Sequence, residues 1–199
     1  KKKKESALIM RKQTKLVAVL SASALLAMGA SMTSFAATGW TQEDGVWYYY
    51  DRDGSYVTDE WKKSGNYWFW LDDDGEMATD MLVEDNDDYY YVDVNGVMVT
   101  NRWVAVDNED AGDEDEPDQY WYYFQSNGKA YKGSDNSSTT KFKTINGKKY
   151  AFDDEGKMLY GWVAKDNAER LDDTDGEGFV DGDYYFGGED DGAMTVGWL

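Results

Sequence analysis

The chain has 199 residues, 40 acids against 20 Lys or Arg, a formal net charge of −20, one Pro, and neither Cys nor His. Without Cys or His there is no Ser-His-Asp or Cys-His nucleophile, no thiolate or imidazole metal site and no disulfide framework. Carboxylate-pair chemistry of the glycosidase kind stays open, and a lack of Cys is compatible with secretion because stacked repeats hold together without disulfides.

Residues 1–36 differ in composition from the rest. Arg11, Lys12 and Lys15 form a basic region, Leu16 to Ala30 an apolar one, and SMTSFAA a run of small residues. This order predicts a secretory signal peptide helix, too short and wrongly flanked for a stable membrane span. Cleavage is expected after Ala36, with Met10 as the initiator. The segment carries seven Lys or Arg and one acid, a net of +6, so the remaining chain falls from −20 to −26. Such a surface disfavours nucleic acid, whose phosphates need a cationic face, and favours cations or neutral polymers such as glycans. The acids also keep an aromatic-rich protein soluble.

Residues 37–199 contain an internal repeat of about six units. Aligning them on a turn glycine places Gly54, Gly75, Gly96, Gly128, Gly156 and Gly192 at equivalent positions, the first three 21 residues apart. Ahead of each lies a short extended run: WYYY (47–50), WFWL (68–71), YYYV (89–92), WYYF (121–124), KYAF (149–152) and DYYF (183–186). Aromatic and β-branched residues before an acidic Gly-containing turn are hairpin signals, and the D-x-D-G turn is read as the reversal between the two strands. Two residues after the Gly stands Met77, Met98, Met158 or Met194, with Tyr56 and Ala130 as departures. A Trp then opens the next unit, with Met81 standing at the opening of the third and Ser134 near where the fifth should begin. Units of this size cannot bury a core alone, so the expected fold is all-β: a solenoid of stacked β-hairpins.

Strand alternation divides each run into two faces. Tyr48/Tyr50, Phe69/Leu71, Tyr90/Val92, Tyr122/Phe124, Tyr150/Phe152 and Tyr184/Phe186 are large and apolar or aromatic throughout, which marks the core. The other face carries Trp47/Tyr49, Trp68/Trp70, Tyr89/Tyr91 and Trp121/Tyr123, then Lys149/Ala151 and Asp183/Tyr185, and is the expected ligand side. Polar inserts are expected near 107–119, with eight acids in thirteen residues, near 134–141 and near 166–181. Within the last, DDTDGEG (172–178) has some character of a calcium loop without the distal Glu of an EF-hand. No catalytic pair, metal centre or cofactor is expected.

Exposed Trp and Tyr among acids suit a quaternary ammonium, drawn to aromatic faces, or a sugar ring stacked on them. The pattern of GW, a gap, WYYY, D-x-D-G, Tyr or Met two residues on, and a further Trp resembles the choline-binding or cell-wall-binding repeat of Gram-positive surface proteins. The resemblance covers about residues 39–199, most closely 39–103. It implies a secreted, non-enzymatic wall anchor whose hairpins hold choline of teichoic acids between consecutive units. Carried over, Trp40 and Trp47 with Trp68 form a first cage, and Trp61, Trp68 and Tyr89 a second. Trp103 and Trp121 serve later units, while Tyr49, Tyr56, Trp70 and Met77 are weaker walls. The opening unit is thereby expected to hold the best-preserved site. A glycan-binding module stays open as the alternative, since NGKKYAFDDEGKMLYGW (146–162) resembles glycan-binding repeats equally, as does a surface spacer with weak calcium binding. Trp198 stands where a further unit would begin, read as truncation of a partner domain or as a short stand-alone binder.

Overall fold

The structure is a computed structural model that describes residues 38–112, 116–133, 139–166, 169–171 and 181–196. The signal segment, the DDTDGEG run, Ser134 and Trp198 lie outside the described residues. Among the described residues, twelve strands pair into six separate two-stranded antiparallel sheets, each a hairpin. Hairpin 1 joins β1 (Gly39–Glu43) to β2 (Val46–Tyr50), hairpin 2 joins β3 (Glu60–Ser64) to β4 (Tyr67–Leu71), and hairpin 3 joins β5 (Met81–Asp85) to β6 (Asp88–Val92). Hairpin 4 joins β7 (Arg102–Asp107) to β8 (Gln119–Phe124), hairpin 5 joins β9 (Lys143–Ile145) to β10 (Lys148–Tyr150), and hairpin 6 joins β11 (Gly161–Val163) to β12 (Tyr184–Phe186). The described array is the all-β hairpin solenoid expected from the repeat.

The strand paired with each aromatic run lies before it, not after the D-x-D-G turn. Two-residue tips close the ladders: Asp44 and Gly45, with φ of 49° and 91°, and Asn146 and Gly147, with φ of 50° and 82°. Both residues at positive φ make the type I′ turn, whose twist matches that of the flanking strands. The acidic turn does a different job. After it, Tyr56, Met77, Met98, Ala130 and Met158 each form a single bridge to Tyr50, Leu71, Val92, Phe124 and Phe152 of their own unit. The Asp carboxylates hold it shut, Asp72 accepting from the Glu76 amide at 2.8 Å and Asp153 from that of Lys157 at 2.7 Å. The turn that recurs most regularly in the sequence therefore belongs to the shorter return.

Each return segment also stitches its unit to the previous one. The amides of Met77, Met98, Ala130, Met158 and Met194 donate to the carbonyls of Trp47, Trp68, Tyr89, Trp121 and Lys149, at 2.7–2.9 Å. The turn glycine packs beside the same contact. A Cβ on Gly96 would lie 2.9 Å from Met77 Cε, and one on Gly192 2.3 Å from Met158 Sδ. A side chain there would have to displace the Met tip, and the φ of 78° at Gly96 and 53° at Gly192 strains any L side chain, which is why Gly recurs.

The core runs along the array. Leu71, Val92, Phe124 and Phe186 are fully buried, with Phe69, Tyr122 and Phe152 nearly so. These lie on the face expected to be the core. Trp70 is also buried, at 8% exposure, and Ala151 fully, so both faces of a hairpin are covered, one by the unit before and one by the unit after. No helix among the described residues is long and apolar enough to cross a membrane.

Candidate functional site

The rings meet between hairpins by a fixed rule. Trp40 is paired across hairpin 1 with Tyr49, and Trp61 across hairpin 2 with Trp70. Cross-strand partners lie on one face, so each pair presents two adjacent rings. Trp40 lies 5.4 Å from Tyr49 and 5.3 Å from Phe69 of the next hairpin, both edge-on. Trp61 lies 5.2 Å from Trp70 and 5.1 Å from Tyr90 of the next. Each junction therefore takes the opening Trp and the third aromatic of one hairpin with the second aromatic of its successor.

The rule continues along the array. At the fourth junction Trp103 lies 5.2 Å from Tyr123 and 4.8 Å from Tyr150. At the third, Leu82 pairs with Tyr91 and so takes the Trp position, with Met81 one residue before it, paired with Val92. The spacing of the repeat predicts Met81 at that position, one residue off. At the fifth, Phe142 lies 5.0 Å from Tyr184, in the opening role that the glycine alignment put near Ser134. Complete three-ring sets thus occur at the first, second and fourth junctions. Their spacing along the chain was visible, but the partners were not, because cross-strand register decides them.

The expected cages are consequently regrouped. Trp47 and Trp68 were expected beside Trp40 and Trp61; the ring contacts of Trp40 are with Tyr49 and Phe69 and those of Trp61 with Trp70 and Tyr90, while the carbonyls of Trp47 and Trp68 accept the stitches from Met77 and Met98. Trp68 is 39% exposed, with the Lys63 ammonium over its ring at 5.7 Å. Tyr89 lies 6.4 Å from Tyr122, with Lys132 over its face at 4.5 Å. Trp121 donates its indole N–H to Asp190 at 3.1 Å. Tyr56, half exposed, contacts Tyr48 and Tyr50, and Met77 backs Gly96. Tyr49 and Trp70, expected as weaker walls, are members of the ring sets, and Phe69 and Tyr90, assigned to the core, complete them.

The electrostatics are acidic throughout. Tyr91 donates to Asp80 at 2.8 Å, and burial together with that bond raises its phenol above the ordinary value. Burial pushes the Asp153 carboxyl up to about 6, against the lowering effect of the Lys157 amide. Around the first two junctions, the indole N–H groups of Trp40 and Trp61 are buried with no hydrogen-bond partner among the described residues.

A family model for the choline-binding repeat matches residues 57–103, and a model described as a cell wall binding repeat matches 38–56, 118–130 and 140–158. The matched stretches, just under half of the chain, are choline-binding and cell wall binding repeats. Such repeats are binding modules. Among solved structures, the modular autolysin LytC from Streptococcus pneumoniae, determined in complex with a synthetic peptidoglycan ligand, is similar at 22% identity and a TM-score of 0.52, over 80% of this chain and 28% of that one. CbpJ from Streptococcus pneumoniae TIGR4 is similar at 24% identity and a TM-score of 0.49, over 80% of this chain and 43% of that one. Choline binding protein F from Streptococcus pneumoniae is similar at 26% identity and a TM-score of 0.49, over 82% of this chain and 46% of that one. The chain thus spans less than half the length of each of these three. No curated protein sequence matches it.

Proposed function

We propose that this chain is a non-covalent anchor to choline on bacterial wall polymers, binding the trimethylammonium group against the rings that converge between consecutive hairpins. The single observation that carries this is the repeated set of opening Trp, third aromatic and next-hairpin aromatic at the first, second and fourth junctions. A quaternary ammonium has no N–H to donate, so ring faces and nearby carboxylates recognise it where a hydrogen-bonding pocket would not. Each ring contributes on the order of 0.5–2 kcal/mol, and repetition along one chain converts weak sites into avidity for a polymer. The ligand-contacting residues are Trp40, Tyr49 and Phe69, then Trp61, Trp70 and Tyr90, then Trp103, Tyr123 and Tyr150, with Trp68 exposed beside them. Residues 1–36 direct secretion, which puts the array at the surface of a Gram-positive cell, and residues 37–199 bind without catalysing.

Titrating choline into the chain while following Trp fluorescence tests the reading. A saturable change, greatly reduced in Trp61→Ala, supports it. Silence towards choline with a response to soluble peptidoglycan fragments or glucan replaces it by glycan binding.

A further inference from the structure

The first and second junctions share their rings but differ at one position of the incoming hairpin. The residue paired across the strands with the second aromatic faces the preceding hairpin. In hairpin 2 this is Lys62, paired with Phe69; in hairpin 3 it is Val83, paired with Tyr90. Val83 is 3% exposed and packs into the cluster formed with Trp70 and Val92. Lys62 turns its ammonium over the face of Tyr49, 5.0 Å from the ring centroid, with Glu60 at 2.9 Å and Asp51 at 3.9 Å. Its side chain is only 18% exposed. An ammonium over an aromatic face, flanked by carboxylates, is the arrangement that an external alkylammonium would adopt there.

We propose that Lys62 is an internal occupant of the first junction: its ammonium holds the Tyr49 face that a trimethylammonium ligand needs, so choline must displace it there but not at the second junction. The proposal rests on the choline reading above and adds a ranking of sites. The second junction, centred on Trp61, binds first; the first binds only at higher ligand concentration. This reverses the order suggested by the aromatic motif, which is most complete at the opening unit. Displacement costs the ammonium its Tyr49 contact and weakens its hold on Glu60, whereas Val83 offers choline no competing charge. Lys143 occupies the same position in hairpin 5, paired with Tyr150, but lies over Tyr131 at 4.7 Å and near Gln125, leaving the Tyr123 face to the ligand.

The buried indole N–H groups of Trp40 and Trp61 report the two junctions separately in a nitrogen–proton correlation spectrum of the full chain titrated with choline chloride. In the wild type, the Trp61 signal is expected to saturate at lower choline than that of Trp40. In Lys62→Met, which keeps the apolar stem and removes the charge, the Trp40 midpoint is expected to fall about threefold to tenfold, the scale of one cation–π contact, while the Trp61 midpoint stays. A Trp40 midpoint that is unchanged or higher in Lys62→Met, with Trp61 responding normally, overturns the proposal and leaves the choline reading standing. Silence of both indoles at saturating choline overturns the reading and the proposal together. A second measurement addresses the seat itself: the Lys62 Hε protons are expected to be shifted upfield by the Tyr49 ring and to return to ordinary values in Tyr49→Leu. Ordinary wild-type values overturn the proposal whatever the ligand does.

Discussion

Set side by side, the first and second junctions show how much a single facing residue changes an otherwise repeated site. Both have an opening Trp, a cross-strand aromatic and a ring from the next hairpin, with centroids 5.1–5.4 Å apart. In one, the incoming strand brings a cation held by two acids; in the other, a buried Val. Each ring set has one buried member, Phe69 of the incoming hairpin at the first junction and Trp70 of the preceding hairpin at the second. A cation does stand near the edge of the second set, since Lys129 pairs with Asp88 beside the Tyr90 hydroxyl, but this is the rim of the ring and not its face. Repeats of equal motif quality are therefore not repeats of equal chemistry.

The most severe way to break the comparison is to move the cation. Val83→Lys alone buries an ammonium where Met81 stands in place of Glu60, and is expected to lose about 3–5 kcal/mol, the scale of an unpaired buried charge. Adding Met81→Glu rebuilds the pair, with Asp72 already in the role of Asp51, and is expected to recover part of that loss. Chemical denaturation of the three chains measures it. A double variant no better than the single one would show that Glu60 does not make Lys62 tolerable.

A smaller effect separates the backbone seams of the same two junctions. Gly75 and Gly96 have φ of 77° and 78°, so Ala is strained at both. At Gly96 an added Cβ also meets the Ala78 carbonyl oxygen at 3.0 Å, a fixed atom. At Gly75 the equivalent Val57 carbonyl oxygen is farther, at 3.2 Å, and the nearest neighbour is the half-exposed Tyr56 ring, which has to shift. Gly96→Ala is expected to cost about 2–3 kcal/mol and Gly75→Ala about 1–2 kcal/mol, read as shifts of the denaturation midpoint.

The smallest effect is in pH. The hydrogen bond to Glu60, opposed by burial and aided by the charges of Glu60 and Asp51, raises the Lys62 pKa above its ordinary 10.5. A cation with a raised folded-state pKa contributes stability that is fully present below the unfolded pKa and lost as pH climbs through the folded one. Wild type is therefore expected to lose up to about 1 kcal/mol relative to Lys62→Met between about pH 9 and 12. Equal alkaline slopes for the two chains would show that the ammonium makes no net contribution.

Periodicity was the part of the molecule most open to reading from residues. The equivalence of the turn glycines, the core role of Leu71, Val92 and Phe124, and the stacked hairpins all follow from spacing and from units too small to bury a core alone. Pairing was hidden. The acidic Gly-containing turn recurs with the repeat while the true tips vary from Asp44-Gly45 to Gly65-Asn66 and Asn86-Asp87, so periodicity points to the wrong side of the aromatic run. Once Trp40 pairs with Tyr49 and Trp61 with Trp70, the ring sets change membership, Leu82 replaces Met81 as the opener, and Lys62 comes to face Tyr49. None of these contacts is local: each depends on which residue lies opposite, and then on which face the following hairpin covers.

One hairpin shows what the tips of the array tolerate. β7 and β8 keep their ladder from Arg102 opposite Phe124 to Asp107 opposite Gln119, although 108–118 intervene where hairpins 1, 2, 3 and 5 have two residues. Asn108 closes the base of that excursion by donating to the Pro117 carbonyl at 2.8 Å, while Trp103, Tyr123 and the Met158 stitch to Trp121 keep their places. Loop length at a tip is thus uncoupled from ring geometry at a seam. The tips are grafting points: a foreign peptide of similar length between Gly65 and Asn66 would be carried on hairpin 2 while the ring sets on either side of it stay assembled.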